Sequence, residues 1–126
     1  MAGTLSDLQI EVLKTLWDHG EGTVADVQER LKPERDLATT TVATLLARLV
    51  RRGVVARRRG EGRTYVYRAA VPEDEVRRSM VGALMDRLFA GDPAALVHHL
   101  VEDQDLDEAT RKRLIERLRR AAEEDA

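Results

Sequence analysis

At Gly53 the hydrophobic repeat of this chain changes period, and that change limits what it can fold into. Upstream, TTTVATLLARLVRRG places Val42, Leu45, Leu46, Leu49 and Val50 at i, i+3, i+4, i+7 and i+8. That is the spacing of a helix with one apolar face. Downstream, Val54–Arg59 and Arg63–Arg68 read as two strands, with Gly60-Glu61-Gly62 between them as the turn. In the second strand Tyr65 and Tyr67 share one face, and Thr64, Val66 and Arg68 share the other. A helix that passes into a hairpin through one glycine predicts a helical body with a short β-ribbon attached.

Two more helices precede the Thr39 segment. Ser6 is a good N-cap, and Gln9 three residues later completes a capping box, with Leu5 and Ile10 at the staple positions. Leu8, Val12, Leu13, Leu16 and Trp17 follow at helical spacing until His19-Gly20. Thr23 caps a second helix, VADVQERL, with Val24, Val27 and Leu31 inward. Lys32-Pro33 closes it, because proline cannot continue a helix. Helix, helix, helix, hairpin, with short joints, is the order of a winged helix: a helix-turn-helix core followed by a β-hairpin wing. The expected fold class is mainly α with a small β-hairpin.

Pro72 marks the end of this module, so the expected division is 1–71 and 72–126. The rest reads as helix alone. EDEVRRSMVGALMDRLFA carries Val76, Met80, Ala83, Leu84 and Leu88 on one side and breaks at Gly91-Asp92-Pro93, a glycine stop, an Asp N-cap and a first-turn proline. PAALVHHLVED is nearly all apolar, with Leu96, Val97, Leu100 and Val101. A last helix begins near Asp107 and runs to the C-terminus, with Leu114, Ile115, Leu118 and Ala122 inward. Three short helices without a sheet bury little by themselves. They are expected to complete their core against a second copy, as a dimerisation arm with Met80, Leu84, Leu88, Leu96, Leu100, Leu114 and Leu118 in the seam. Packing onto the chain's own N-terminal module is the competing arrangement.

The outer face of the Thr39 helix suggests what the fold presents. Thr40, Thr44, Ala47 and Arg51 lie near its middle, with Ala43 and Arg48 at the sides, and no acid occurs from Thr39 to Arg59. A major groove accepts a helix whose near side is small, polar and cationic. An ordinary core helix whose outer face happens to be Thr-rich fits the same residues. Net charge is −2, but residues 1–68 hold 12 Lys+Arg against 9 Asp+Glu, a balance of +3, and residues 69–126 hold 9 against 14, a balance of −5. Residues 48–68 alone hold 8 Arg and one acid, Glu61. Fields from distant acids are screened within ~10 Å, so the local block is what a phosphate backbone meets. The tip RRRGEGR, with Arg57, Arg58, Arg59 and Arg63, can lie along such a backbone, its guanidinium forks suited to phosphate oxygens. The predicted DNA-contacting residues are Thr39, Thr40, Thr41, Thr44, Arg48, Arg51, Arg58 and Arg63. Arg48, Arg51 and Arg52 also suit a role at the helix C-terminus, opposite its dipole.

Other functions find little support. Without cysteine there is no disulfide framework, thiolate metal site or cysteine nucleophile. Ser6 and Ser79 sit in helical contexts, and no glycine loop suits phosphate cradling, so no enzyme and no cofactor is expected. His98 and His99 are adjacent on a helix and point apart, with no third ligand at useful spacing, so no metal site is expected. MAGTLSDLQIEV lacks the basic and apolar regions of a signal peptide, and no apolar run reaches the ~18 residues of a membrane span. A cytoplasmic protein is expected. A protein-interaction adaptor built on the same scaffold, with its arginines serving only solubility, is the alternative to DNA binding.

The run TTTVATLLARLVRRGVVARRRGEGRTYVYRA, preceded by LSDLQIEVLKTLWDHGEGTVADVQERL, resembles the penicillinase-repressor family, the BlaI/MecI-like regulators of β-lactam resistance with copper-responsive relatives. The opening helix ending at Trp17, the Thr23-Val24 pair, the Thr-rich helix with its closing basic pair and glycine, the G-R-x-Y-x-Y wing strand and the tail LVHHLVEDQDLDEATRKRLIERL stand in register with that family. The resemblance implies a homodimeric winged-helix repressor on a short palindromic operator, blocking the genes beside it. It places Thr40, Thr41 and Thr44 where the family's helix meets DNA, Arg48 on the family's arginine, and Arg51 and Arg52 on its basic pair. Ala43 falls where some relatives carry a basic residue. β-Lactam-responsive members are cleaved at an Asn-Phe bond in the dimer region; the aligned bond here is His99-Leu100, which argues against that route. The Cys-rich tail of the copper-responsive branch is missing too, so the inducing signal stays open.

Overall fold

In the computed structural model residues 5–125 are described; Met1–Thr4, the start of the stretch searched for a signal peptide, and Ala126, to which the last helix was expected to run, lie outside them. The first helix, α1 (Asp7–His19), begins where Ser6 Oγ accepts from the Gln9 amide at 3.1 Å and the Gln9 side chain accepts from the Ser6 amide at 3.0 Å. In α2 (Val24–Leu31) Thr23 and Asp26 exchange the same two bonds, at 3.1 and 2.9 Å. Each capping box satisfies two backbone donors that would otherwise face water or nothing.

Next comes α3 (Thr39–Arg51), which turns into β1 (Val55–Arg59) at Gly53. Gly53 has φ +81°, a left-handed conformation that glycine adopts without a Cβ penalty, and the Gly53 and Val54 amides donate to Val50 and Leu49 carbonyls. The antiparallel partner is β2 (Tyr65–Ala69), with Val55 opposite Ala69 and Arg59 opposite Tyr65. Arg63 and Thr64 belong to the turn, not to the strand expected from Arg63: the Gly60 amide donates to the Thr64 carbonyl at 2.8 Å and the Thr64 amide to Glu61 at 3.2 Å.

The apolar faces of the three helices and the base of the hairpin meet in one core. Val12, Leu13, Val27, Val42, Leu46 and Leu49 are fully buried there, with Leu16, Leu31, Val54, Val55 and Tyr67 around them. The loop between α1 and α2 joins the hairpin as a third, single-residue strand: Gly22 and Tyr67 exchange amide-to-carbonyl bonds of 2.9 and 2.8 Å. Trp17 donates its indole N–H to the Val71 carbonyl at 3.0 Å, tying the end of α1 to the chain leaving the hairpin.

Beyond Pro72 lie α4 (Glu73–Leu88), α5 (Pro93–Glu102) and α6 (Glu108–Asp125). The chain forms two compact units, the first ending at Ala83 and the second beginning at Leu84. Within the first, Val76 is buried and Met80 is half-buried against the core. Met80, expected from sequence at a dimer seam, thus has part of its surface on its own chain. In the second unit no described side chain is buried, and Leu88 is 70% and Leu118 41% exposed. Polar and ring contacts link its elements: Arg111 donates to the carbonyls of Val101, Asp103 and Leu106 at 3.0–3.3 Å, and the Phe89 and His99 rings lie 5.9 Å apart. Among the described residues no helix is long and apolar enough to cross a membrane.

Candidate nucleic-acid interface

With Val42, Leu45, Leu46 and Leu49 turned inward, α3 leaves Thr39, Thr40, Thr41, Thr44, Arg48 and Arg51 exposed, and Ala43 and Ala47 partly so. The apolar repeat alone produces this division, since residues four apart stack on one side. The start of α3 differs from those of α1 and α2. Its N-cap is Ala38, and no side chain caps it. Its first amides are thus open to an outside acceptor, at the end of the helix where the dipole favours an anion.

A residue not singled out from sequence orders this end. Gln28, on α2, donates its amide N–H to the Leu37 carbonyl at 2.9 Å and accepts from Thr39 Oγ1 at 2.9 Å. With both ends of its amide used, Gln28 fixes the connection into α3. A glutamine in a surface-facing helix position carries no signal in sequence, because its partners lie nine and eleven residues away. Thr44 Oγ1 donates to the Thr40 carbonyl at 2.9 Å within α3. Its proton is spent, so toward a ligand Thr44 offers lone pairs and its methyl group.

The hairpin sorts its arginines by alternation. Cross-strand partners share a face, so Arg57 and Arg59 lie with Tyr67 and Tyr65, and Arg58 lies with Val66. The Arg57 guanidinium sits 4.3 Å and that of Arg59 5.6 Å from the Tyr65 ring centre, within cation–π range. Tyr65 meets Tyr67 edge-on at 6.5 Å, and Tyr67 is buried, so this stack is anchored in the core. Arg58, on the other face, donates to Glu21 Oε1 at 2.8 Å. Arg63 is exposed in the turn. Sequence reasoning took all four arginines as suited to phosphate and placed Arg58 and Arg63 in the predicted contact set; the pairing with the two tyrosines puts Arg57 and Arg59 on the face opposite Arg58.

Asp26 is held below the usual carboxylate range by the hydrogen bonds from Thr23, backbone and side chain, with Arg30 adding to them. Among the described residues no three His, Cys, Asp or Glu side chains gather as metal ligands.

Residues 5–120 match the profile of the family described as "Penicillinase repressor". The transcriptional regulator BlaI of Mycobacterium tuberculosis is 39% identical over 107 residues, spanning 83% of this chain and 77% of that protein. An uncharacterised 16.5 kDa protein of Latilactobacillus sakei is 35% identical over 78 residues, 62% of this chain; the match spans about half, 53%, of that relative. Among solved structures, the DNA-binding domain of the repressor BlaI superposes with a TM-score of 0.52 at 28% identity, over 60% of this chain and 90% of that domain.

Proposed function

The chain belongs to the penicillinase repressor family, a family of DNA-binding transcriptional repressors and not of enzymes, and on that premise we propose that it acts as a homodimer on a short palindromic operator. In this reading residues 1–71 bind DNA, residues 72–126 dimerise, and the protein works in the cytoplasm. The α3 face, with Thr39, Thr40, Thr41, Thr44, Arg48 and Arg51, lies in the major groove. Arg58 and Arg63 follow the adjacent phosphates. Leu84, Leu88, Leu96, Leu100, Leu114 and Leu118 form the seam, with Met80 at its edge, and the two-fold axis they create sets one α3 per half-site.

The observation that carries the reading is the outer face of α3: exposed threonines and arginines, no acid, and an uncapped N-terminus. A phosphate oxygen can accept from the open amides while the threonine side chains meet base edges or thymine methyls. The His99-Leu100 bond lies inside α5, so cleavage there would first require that helix to open.

The test begins with genomic DNA recovered on the purified protein and sequenced. A palindrome should emerge, and log affinity for it should fall linearly with log salt, by about 0.9 per phosphate contacted. Thr44→Glu places a carboxylate and extra bulk on the face and should abolish binding while leaving the helical signal intact. Unchanged operator binding by this variant would remove α3 from the interface. No salt-dependent shift of any DNA would favour the protein-docking use of the scaffold.

A further inference from the structure

One wing arginine is paired with an acid that lies outside the wing. Glu21 comes from the loop between α1 and α2, and its carboxylate meets Arg58 at 2.8 Å. The loop is built to hold it there. Arg30 donates to the Gly20 carbonyl at 2.9 Å and to the Glu21 carbonyl at 3.1 Å, and Gly22 is locked to Tyr67 on both its amide and its carbonyl. A Cβ at Gly22 would come within 2.9 Å of the Arg30 guanidinium and 3.0 Å of Asp26 Cβ, so a side chain there would have to displace Arg30 from the loop carbonyls it holds. The carboxylate is thus carried on a fixed backbone, yet both side chains remain about half exposed, at 53% and 49%. An exposed pair of this kind is weak and open to exchange.

We propose that Glu21 is a specificity-determining residue: it occupies the Arg58 fork in the free protein and yields it only to a phosphate held close by the rest of the interface. This rests on the DNA-binding reading above. A carboxylate and a phosphate oxygen compete for the same guanidinium donors. On a duplex that α3 does not fit, nothing offsets the repulsion between Glu21 and the backbone, and the Arg58 contact is withheld. On a fitted site the neighbouring contacts hold the phosphate in place, and the exchange goes forward. Glu21 would therefore depress non-specific affinity more than specific affinity. The other wing cations near the hairpin face, Arg57 and Arg59, rest on Tyr65 and face no such competitor in that stack.

The experiment measures binding of a random-sequence 30-base-pair duplex, and of the site recovered from genomic DNA, over a salt series for four proteins: wild type, Glu21→Gln, Arg58→Gln and the double variant. Glu21→Gln should tighten random-sequence binding about fivefold at low salt, the scale of one exposed ion pair. It should also steepen the salt slope by about one phosphate contact. The recovered site should gain less, so the ratio between the two narrows. In the Arg58→Gln background Glu21→Gln should change the slope little, because its effect passes through Arg58. Weaker binding by Glu21→Gln, or the same gain with Arg58 absent, overturns the proposal. If wild type shows no salt-dependent binding to either duplex, the DNA-binding reading itself falls. If wild type binds and only the Glu21 effect is missing, the proposal alone falls.

Discussion

The two units of this chain solve the burial problem in different ways. In the first, α1, α2, α3 and the hairpin base surround six fully buried Leu and Val side chains. In the second, α5 and α6 carry a comparable apolar repeat, yet no described side chain there is buried, and Ile115 and Leu118 stay about 40% exposed. The contrast is one of geometry more than composition. Three crossing helices and a ribbon enclose a volume, whereas two helices and the end of a third leave one face open. The first unit can be stable as one chain. The second leaves its apolar side chains partly or largely exposed.

The largest effect should come from breaking the complete core. Leu46→Ala should cost about 2–5 kcal/mol, the usual range for a fully buried leucine. Urea unfolding should give that loss at every protein concentration. A loss that grows on dilution would mean that even this core depends on a partner.

The next effect concerns the open half. Leu100→Asp should halve the mass seen in sedimentation and make melting of the C-terminal helices independent of concentration, while wild-type melting rises with concentration. A dimer mass that survives Leu100→Asp would put the seam elsewhere and leave the exposed leucines of α6 without a role.

The smallest effect compares one carboxylate from each unit. Hydrogen bonds from Thr23 lower Asp26, and hydrogen bonds from Thr110 lower Asp107, each below the ordinary value of 3.8. A depressed carboxylate contributes stability that is present above its unfolded value and lost as pH falls through its folded value. Stability should therefore be flat from neutral pH to above 3.8 for these groups and decline below it. Asp26→Asn should flatten that decline in the first unit's unfolding, and Asp107→Asn in the second's. Because both groups are exposed, the changes should be slight, and thermal melts between pH 2 and 5 would read them. A decline that neither variant alters would assign it to other carboxylates.

The helices were legible because their causes are local. Ser6 with Gln9, the leucines four apart in α3, and Asp92 before Pro93 each act within one turn, and the structure has helices there. The Thr-rich outer face was legible for the same reason: once the apolar repeat is fixed, the opposite face follows. The exact hairpin ends were less so, since Arg63 and Thr64 have strand character but are drawn into the turn by the Gly60–Thr64 bond. The partial packing of Met80 on the first core was not legible, since Pro72 punctuates the chain before it and the contact is made across sequence-distant elements.

What the sequence alone determined is the order of elements, the inward face of each helix and the local excess of arginine, because periodicity, caps and charge are properties of neighbours along the chain. The tertiary structure decided which arginine meets which partner. Glu21 reaches Arg58 across 37 positions, and Gln28 reaches the start of α3 from a different helix. Such pairings exist only after packing has brought distant backbones within hydrogen-bond range, and no repeat or motif in the chain encodes that distance.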